Sequence, residues 1–166
     1  MARIPQIGES SHELFLFAEV TWKITRAYIV GNGVDGDIRS APFSFAGATW
    51  TLHAYPYGHT YPDSRGFLDL GIERLESPIP EHHVFCKFYF KTLRGKEFEP
   101  LQESFVFNAN IPVDWMMYTE KKDFPRKEKN ILQDGLFTIV CQMRTPRING
   151  IDAFSQTEAV ELVTGE

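Results

Sequence analysis

Cysteine is scarce in this chain of 166 residues: only Cys86 and Cys141 occur, in separate apolar stretches and outside any CxxC pair. Two residues so placed supply neither a disulfide framework nor a thiolate zinc site, and they read as buried thiols of a reducing compartment, cytoplasm or nucleus. There is no Asn-x-Ser/Thr acceptor for glycosylation. No apolar run approaches the roughly 20 residues that a spanning helix needs, so no membrane partner is expected. The Leu14–Ala18 run is too short for the apolar centre of a secretion signal. Positive charge is also short: 17 Lys and Arg face 22 Asp and Glu, a formal net charge of −5. Nucleic acid is therefore disfavoured, because neutralising phosphates requires a basic face. G-x-S-x-G, P-loop and H-E-x-x-H motifs are all missing, so we expect no enzyme and no cofactor or metal. The one adjacent histidine pair is His82-His83, and neighbours in a strand face opposite ways, so from a strand they could not hold one metal.

What the chain does have is aromatic residues, 14% of the total, together with 10 Pro and 12 Gly, a composition that leans to all-β. Phe43–Gly58 (FSFAGATWTLHAYPYG) is its organising stretch. Trp50, Leu52 and Ala54 alternate with Thr51, His53 and Tyr55, the period of a strand with one covered face. Ala46-Gly47-Ala48 predicts a hairpin turn before it, and Pro56 and Gly58 end it. The same alternation marks Val20, Trp22 and Ile24, then Leu68, Leu70 and Ile72, then Val84, Cys86, Phe88 and Phe90. It returns at Phe105 and Phe107 and at Phe137, Ile139, Cys141 and Met143. Ser77-Pro78-Ile79-Pro80, Arg94-Gly95-Lys96 and Asp134-Gly135 punctuate these runs as breaks and turns. The pattern predicts an antiparallel β-sandwich of about eight strands.

Four features fit this scheme less simply. Gly31–Gly36 satisfies GxGxxG, but the residues from Asp37 onward have no helical period and meet Pro42, so it reads as a loop between strands rather than a phosphate site. Phe67 falls on the polar side of its strand, an exposed aromatic that packing does not explain. Trp115, Met116, Met117 and Tyr118 form a compact apolar group inside an otherwise polar connection. The charge run Lys121–Lys129, broken by Pro125, reads as a solvated loop or frayed helical turn, with a nuclear-import signal the weaker reading.

In order and spacing, Val20–Ile24, Ser40–Phe45, the W-x-L-x-x-x-P-x-G run Trp50–Gly58, Gly66–Leu70, Val84–Phe90 and Asp134–Met143 resemble the MATH, or TRAF-like, domain. The likeness covers about Phe17 to Arg144 and is strongest to the substrate-binding domains of MATH–BTB adaptors of the speckle-type POZ protein kind. The chain accordingly divides into a loose leader over 1–16, the domain over 17–145 and, over 146–166, a tail or short helix with little fixed structure. The resemblance further implies a protein-interaction module that binds short, extended Ser/Thr-rich peptides, and substrate recognition for a cullin-3 ubiquitin ligase where a BTB domain accompanies it. The groove it implies is walled by Phe67, Phe88, Phe105, Asp114, Trp115, Met116 and Met117. Two family tyrosines stand here as Phe67 and Phe105, and the Gly and Phe of a family Asp-Trp-Gly-Phe run as Met116 and Met117. Ligand preference is expected to differ accordingly, since each lost hydroxyl removes a bond worth about 0.5–1.5 kcal/mol and methionine makes an adaptable wall. The alternatives are a trimerising TRAF-type adaptor that binds receptor tails and a small-ligand-binding sandwich. Alternation itself sets Phe88 with the core residues.

Overall fold

A computed structural model of the chain describes residues 15–26, 29, 36–58, 67–120, 132–147 and 157–165, with backbone alone for 67, 99, 114–120, 133, 157 and 158. The expectations for residues 1–14 of the leader, for Gly31–Asp35 of the GxGxxG loop and for Lys121–Lys129 lie outside the described residues; the last two residues of the expected leader, Phe15 and Leu16, instead belong to the first strand. The strands are β1 (Phe15–Thr25), β2 (Ile38–Arg39), β3 (Phe43–Phe45), β4 (Ala48–Tyr55), β5 (Phe67–Glu76), β6 (Glu81–Lys91), β7 (Glu97–Asn108), β8 (Val113–Glu120), β9 (Leu132–Gln133), β10 (Leu136–Pro146) and β11 (Thr157–Thr164). They form two sheets. The first runs β11-β1-β10-β6-β7 with β9 beside β10, and the second runs β2-β4-β5-β8 with β3 beside β4. Every pairing is antiparallel except β1 with β11. The protein is an all-β sandwich.

Alternation decides which residues meet between the sheets. Leu16, Ala18, Val20, Trp22 and Ile24 of β1 are buried, as are Val84, Cys86, Phe88 and Phe90 of β6 and Phe137, Ile139, Cys141 and Met143 of β10. The second sheet answers with Trp50, Leu52, Ala54, Leu68, Leu70 and Ile72. Trp50 is at the centre: its Nε1 donates to the Phe45 carbonyl at 2.8 Å, and its ring meets Phe107 and His82 edge to face, with both centroids at 5.2 Å. Ala46 (φ 50°) and Gly47 (φ 72°) make the two-residue turn between β3 and β4, and two successive positive φ angles match the twist of the strands they join. Asp134 (φ 52°) and Gly135 (φ 75°) do the same between β9 and β10. Both cysteines are free and buried.

Two expectations change here. Residues 157–164, expected within a loosely structured tail, instead form β11 along β1. Leu162 of that strand is buried, and the Trp22 Nε1 donates to Thr164 Oγ1 at 2.9 Å, so β1 supplies both the backbone partners and the cover that a short strand lacks alone. The outer face of β4, expected to be polar and open, is covered as well: Thr51, His53 and, beside it on β5, Asp69 are all buried. Thr51 bonds to the Ser40 carbonyl and His53 to Asp37, the two residues that flank β2 where it pairs along β4.

Candidate functional site

The residues implied as a groove divide between the two sheets. Phe67 opens β5, and Asp114–Met117 lie on β8, the strand beside it. The register sets Ile72 against Asp114, Gly71 against Trp115, Leu70 against Met116 and Asp69 against Met117, with an irregularity at Leu68/Asp69 before Phe67 meets Glu120. The side chains of these β8 residues and of Phe67 lie outside the described residues, the expected exposure of Phe67 among them. Phe88 and Phe105 are on β6 and β7 of the other sheet. Phe88 is 0% exposed and Phe105 5%, so neither presents a side-chain face to solvent. The placement of Phe88 by alternation is what the structure has, and a surface groove narrows to β5 and β8.

Among the described residues β8 has a partner on one side only, β5, and is an edge of the second sheet. β7 is likewise an edge of the first. Asn108-Ala109-Asn110-Ile111 joins them: the Asn108 side-chain Oδ1 accepts from the backbone N–H groups of Asn110 and Ile111, both at 2.9 Å. An Asx turn of this kind fixes where the chain crosses between sheets. An edge strand offers unpaired N–H and C=O groups, which an extended segment of another chain can complete.

Two buried histidines brace the sandwich, and no spacing along the chain points to their partners. On the outer side, His53 of β4 is 2% exposed. Its Nδ1 lies 3.0 Å from Asp37 Oδ1 and its Nε2 2.7 Å from Glu73 Oε1. Carboxylates only accept, so a ring nitrogen bonds to the acid it faces by donating its hydrogen. Burial pushes the Asp37 carboxyl up, but the hydrogen bonds and charges of His53 and Arg39 together outweigh it and hold the group below its ordinary range. Ser40 and Thr51 extend the cover, with Thr51 Oγ1 donating to the Ser40 carbonyl at 2.8 Å and the Leu52 N–H donating to Ser40 Oγ at 2.9 Å. On the inner side, His82 Nε2 donates to the Ala46 carbonyl at 2.8 Å, and its Nδ1 accepts from Arg74 Nη1 at 2.9 Å. Arg74 also donates to the Ile79 carbonyl at 2.7 Å, tying Ser77–Pro80 to the core. Burial lowers the His82 pKa; the bond to Ala46 opposes this, and the Arg74 charge adds to it. His83, its neighbour, points outward to Glu81.

No cluster of three or more metal-ligating side chains occurs among the described residues, and no described helix is long and apolar enough to cross a membrane. A scan against protein-family models matches none of them, and a search of curated proteins returns no match.

Proposed function

We propose that this domain is a non-catalytic protein-interaction module whose second sheet takes up a short, extended peptide of a partner along β8. The observation that carries the reading is the edge position of β8, the strand that bears Asp114–Met117, next to the start of β5 at Phe67. A peptide laid there would pair main chain to main chain, and an apolar side chain would be selected by Phe67, Trp115 and Met117. The MATH resemblance adds Ser/Thr-rich segments as the ligand class and substrate recognition for a cullin-3 ligase as the setting, provided that a BTB domain accompanies the module. An interface of this size holds a short peptide at micromolar strength or weaker, about −7 to −8 kcal/mol, so avidity from an oligomeric parent would matter.

Titration of Ser/Thr-rich pentapeptides by calorimetry tests it. Binding should be lost when alternate peptide bonds of the ligand are N-methylated, and Trp115→Ala should weaken it by about 2 kcal/mol. Indifference to N-methylation, or unchanged affinity in a folded Trp115→Ala variant, overturns the reading. The isolated chain should run as a monomer at micromolar concentration, whereas a stable trimer favours the TRAF-type alternative.

A further inference from the structure

We propose that the outer face of the first sheet is a second docking site, for a partner segment carrying a single carboxylate next to an apolar residue. A shallow depression of about 570 Å³ lies there across β1, β10, β6 and β7. The register lays two rows of residues over it. One is Phe17, Arg144, Phe85 and Ser104, and the other is Glu19, Gln142, Lys87 and Gln102.

The first row is built around Arg144. Its guanidinium carbon sits 4.8 Å from the Phe15 ring centroid and 4.7 Å from that of Phe85. A planar cation in contact with two rings is held in one orientation and keeps its N–H edge for a ligand. Among the described residues that edge meets no hydrogen-bond acceptor and no carboxylate. The charges of the second row already have partners: Gln142 Nε2 donates to Glu19 at 3.0 Å, and Lys87 Nζ pairs with Glu97 at 2.7 Å. Arg144 is thus the cation of this face still open to an anion, and a carboxylate matches its donor edge two bonds at a time.

The neighbours define the rest of the ligand. Phe85 is 41% exposed although it is a phenylalanine in mid-strand, and Phe17 is the other aromatic of the same row, so an apolar side chain beside the carboxylate would cover them. Ser104 and Gln102 each carry a donor and an acceptor with no partner among the described residues, which suits the amides of a peptide backbone. Glu19 puts negative charge in the second row, and it selects one carboxylate over an acidic run. The depression is open along the sheet and could not enclose most of a small molecule as ligand pockets do; the occupant is a stretch of another protein.

Fluorescence anisotropy with degenerate pentapeptides tests this, using one library with Leu-Glu fixed at its centre and a control library with Leu-Gln. The Glu library should bind the full chain and the Gln library should not. Arg144→Gln should weaken binding about tenfold or more, and Arg144→Lys, which keeps the charge and loses the flat stacked fork, should weaken it as well. Ser104→Ala, at an exposed strand position, gives a milder loss in a variant that retains the fold even if the Arg144 changes do not. Failure of the Glu library to bind, equal binding of both libraries, indifference to Arg144→Gln and to Ser104→Ala, or displacement by free acetate at peptide-like concentrations each overturn the proposal. Trp115→Ala should leave this binding unchanged, which separates it from the β8 edge: either site can fail without the other.

Discussion

His53 of β4 and His82 of β6 are buried to nearly the same extent, one in each sheet, yet their neighbours make different demands on the ring. His53 lies between two acceptors, Asp37 and Glu73. His82 lies between an acceptor, the Ala46 carbonyl, and a donor, Arg74, and is satisfied as a neutral ring. Burial by itself penalises charge in both. What differs is whether the second ring nitrogen faces a lone pair or a proton.

The largest effect should come from the ring on which His82 rests. Trp50→Ala removes a wholly buried indole, its bond to Phe45 and the edge-to-face contact with His82; chemical denaturation should show a loss of about 3–5 kcal/mol. Substituting glutamine at each histidine tests the comparison directly. A glutamine amide can donate to Ala46 and accept from Arg74, so His82→Gln keeps the pattern and loses mainly packing. His53→Gln can donate to only one acid and leaves two partly buried carboxylates without the ring between them, Asp37 keeping Arg39 alone. It should lose about 2–3 kcal/mol, more than His82→Gln, the partial exposure of both acids keeping the figure below that of a deeply buried pair. If the two variants melt alike, the bridge of His53 between the two acids adds nothing to the fold.

Acid should distinguish the two sites further. The folded pKa of His82 lies below its ordinary 6.5, so the unfolded chain takes up this proton first as pH falls. Its contribution is therefore complete above about pH 6.5 and erodes below it, by at most about 1.4 kcal/mol per pH unit until the folded group also titrates. His82→Gln should abolish this part of the slope in urea midpoints measured between about pH 7 and 5. Asp37, held below its ordinary 3.8, acts later: its contribution is present above that value and is lost as pH falls through the folded one. The smallest effect belongs to the open face of the other sheet, where Phe85→Ala should change the melting free energy by under about 1 kcal/mol.

The sandwich was legible wherever one covered face imposes a two-residue period. Val20, Trp22 and Ile24, or Phe137, Ile139 and Cys141, declare their sheet position by alternation alone, and the two tight turns declare themselves by Ala-Gly and Asp-Gly. β11 was not legible because Val160 and Leu162 are flanked by acids and acquire a reason to be a strand only from β1. The His53 cluster was hidden for a related reason: Asp37, His53 and Glu73 come from three separate segments, and only the folded sheet brings them together. The groove residues were legible unevenly. Phe88 and Phe105 obey the alternation of core strands, and it is there that the structure has them, whereas Asp114–Met117 follow no clear period and are set beside β5 only by the sheet order.

β1 is enclosed by strands from the far end of the chain, β10 on one side and β11 on the other, and the bond from Trp22 to Thr164 spans 142 positions. During biosynthesis the first strand therefore emerges with neither neighbour yet made. At ribosomal rates it waits on the order of ten seconds with its apolar side uncovered. The second sheet, whose β3, β4 and β5 are close together along the chain, has no such delay and can assemble first. Chaperone occupancy on nascent chains should accordingly centre on Leu16–Ile24 and end when β11 clears the exit tunnel.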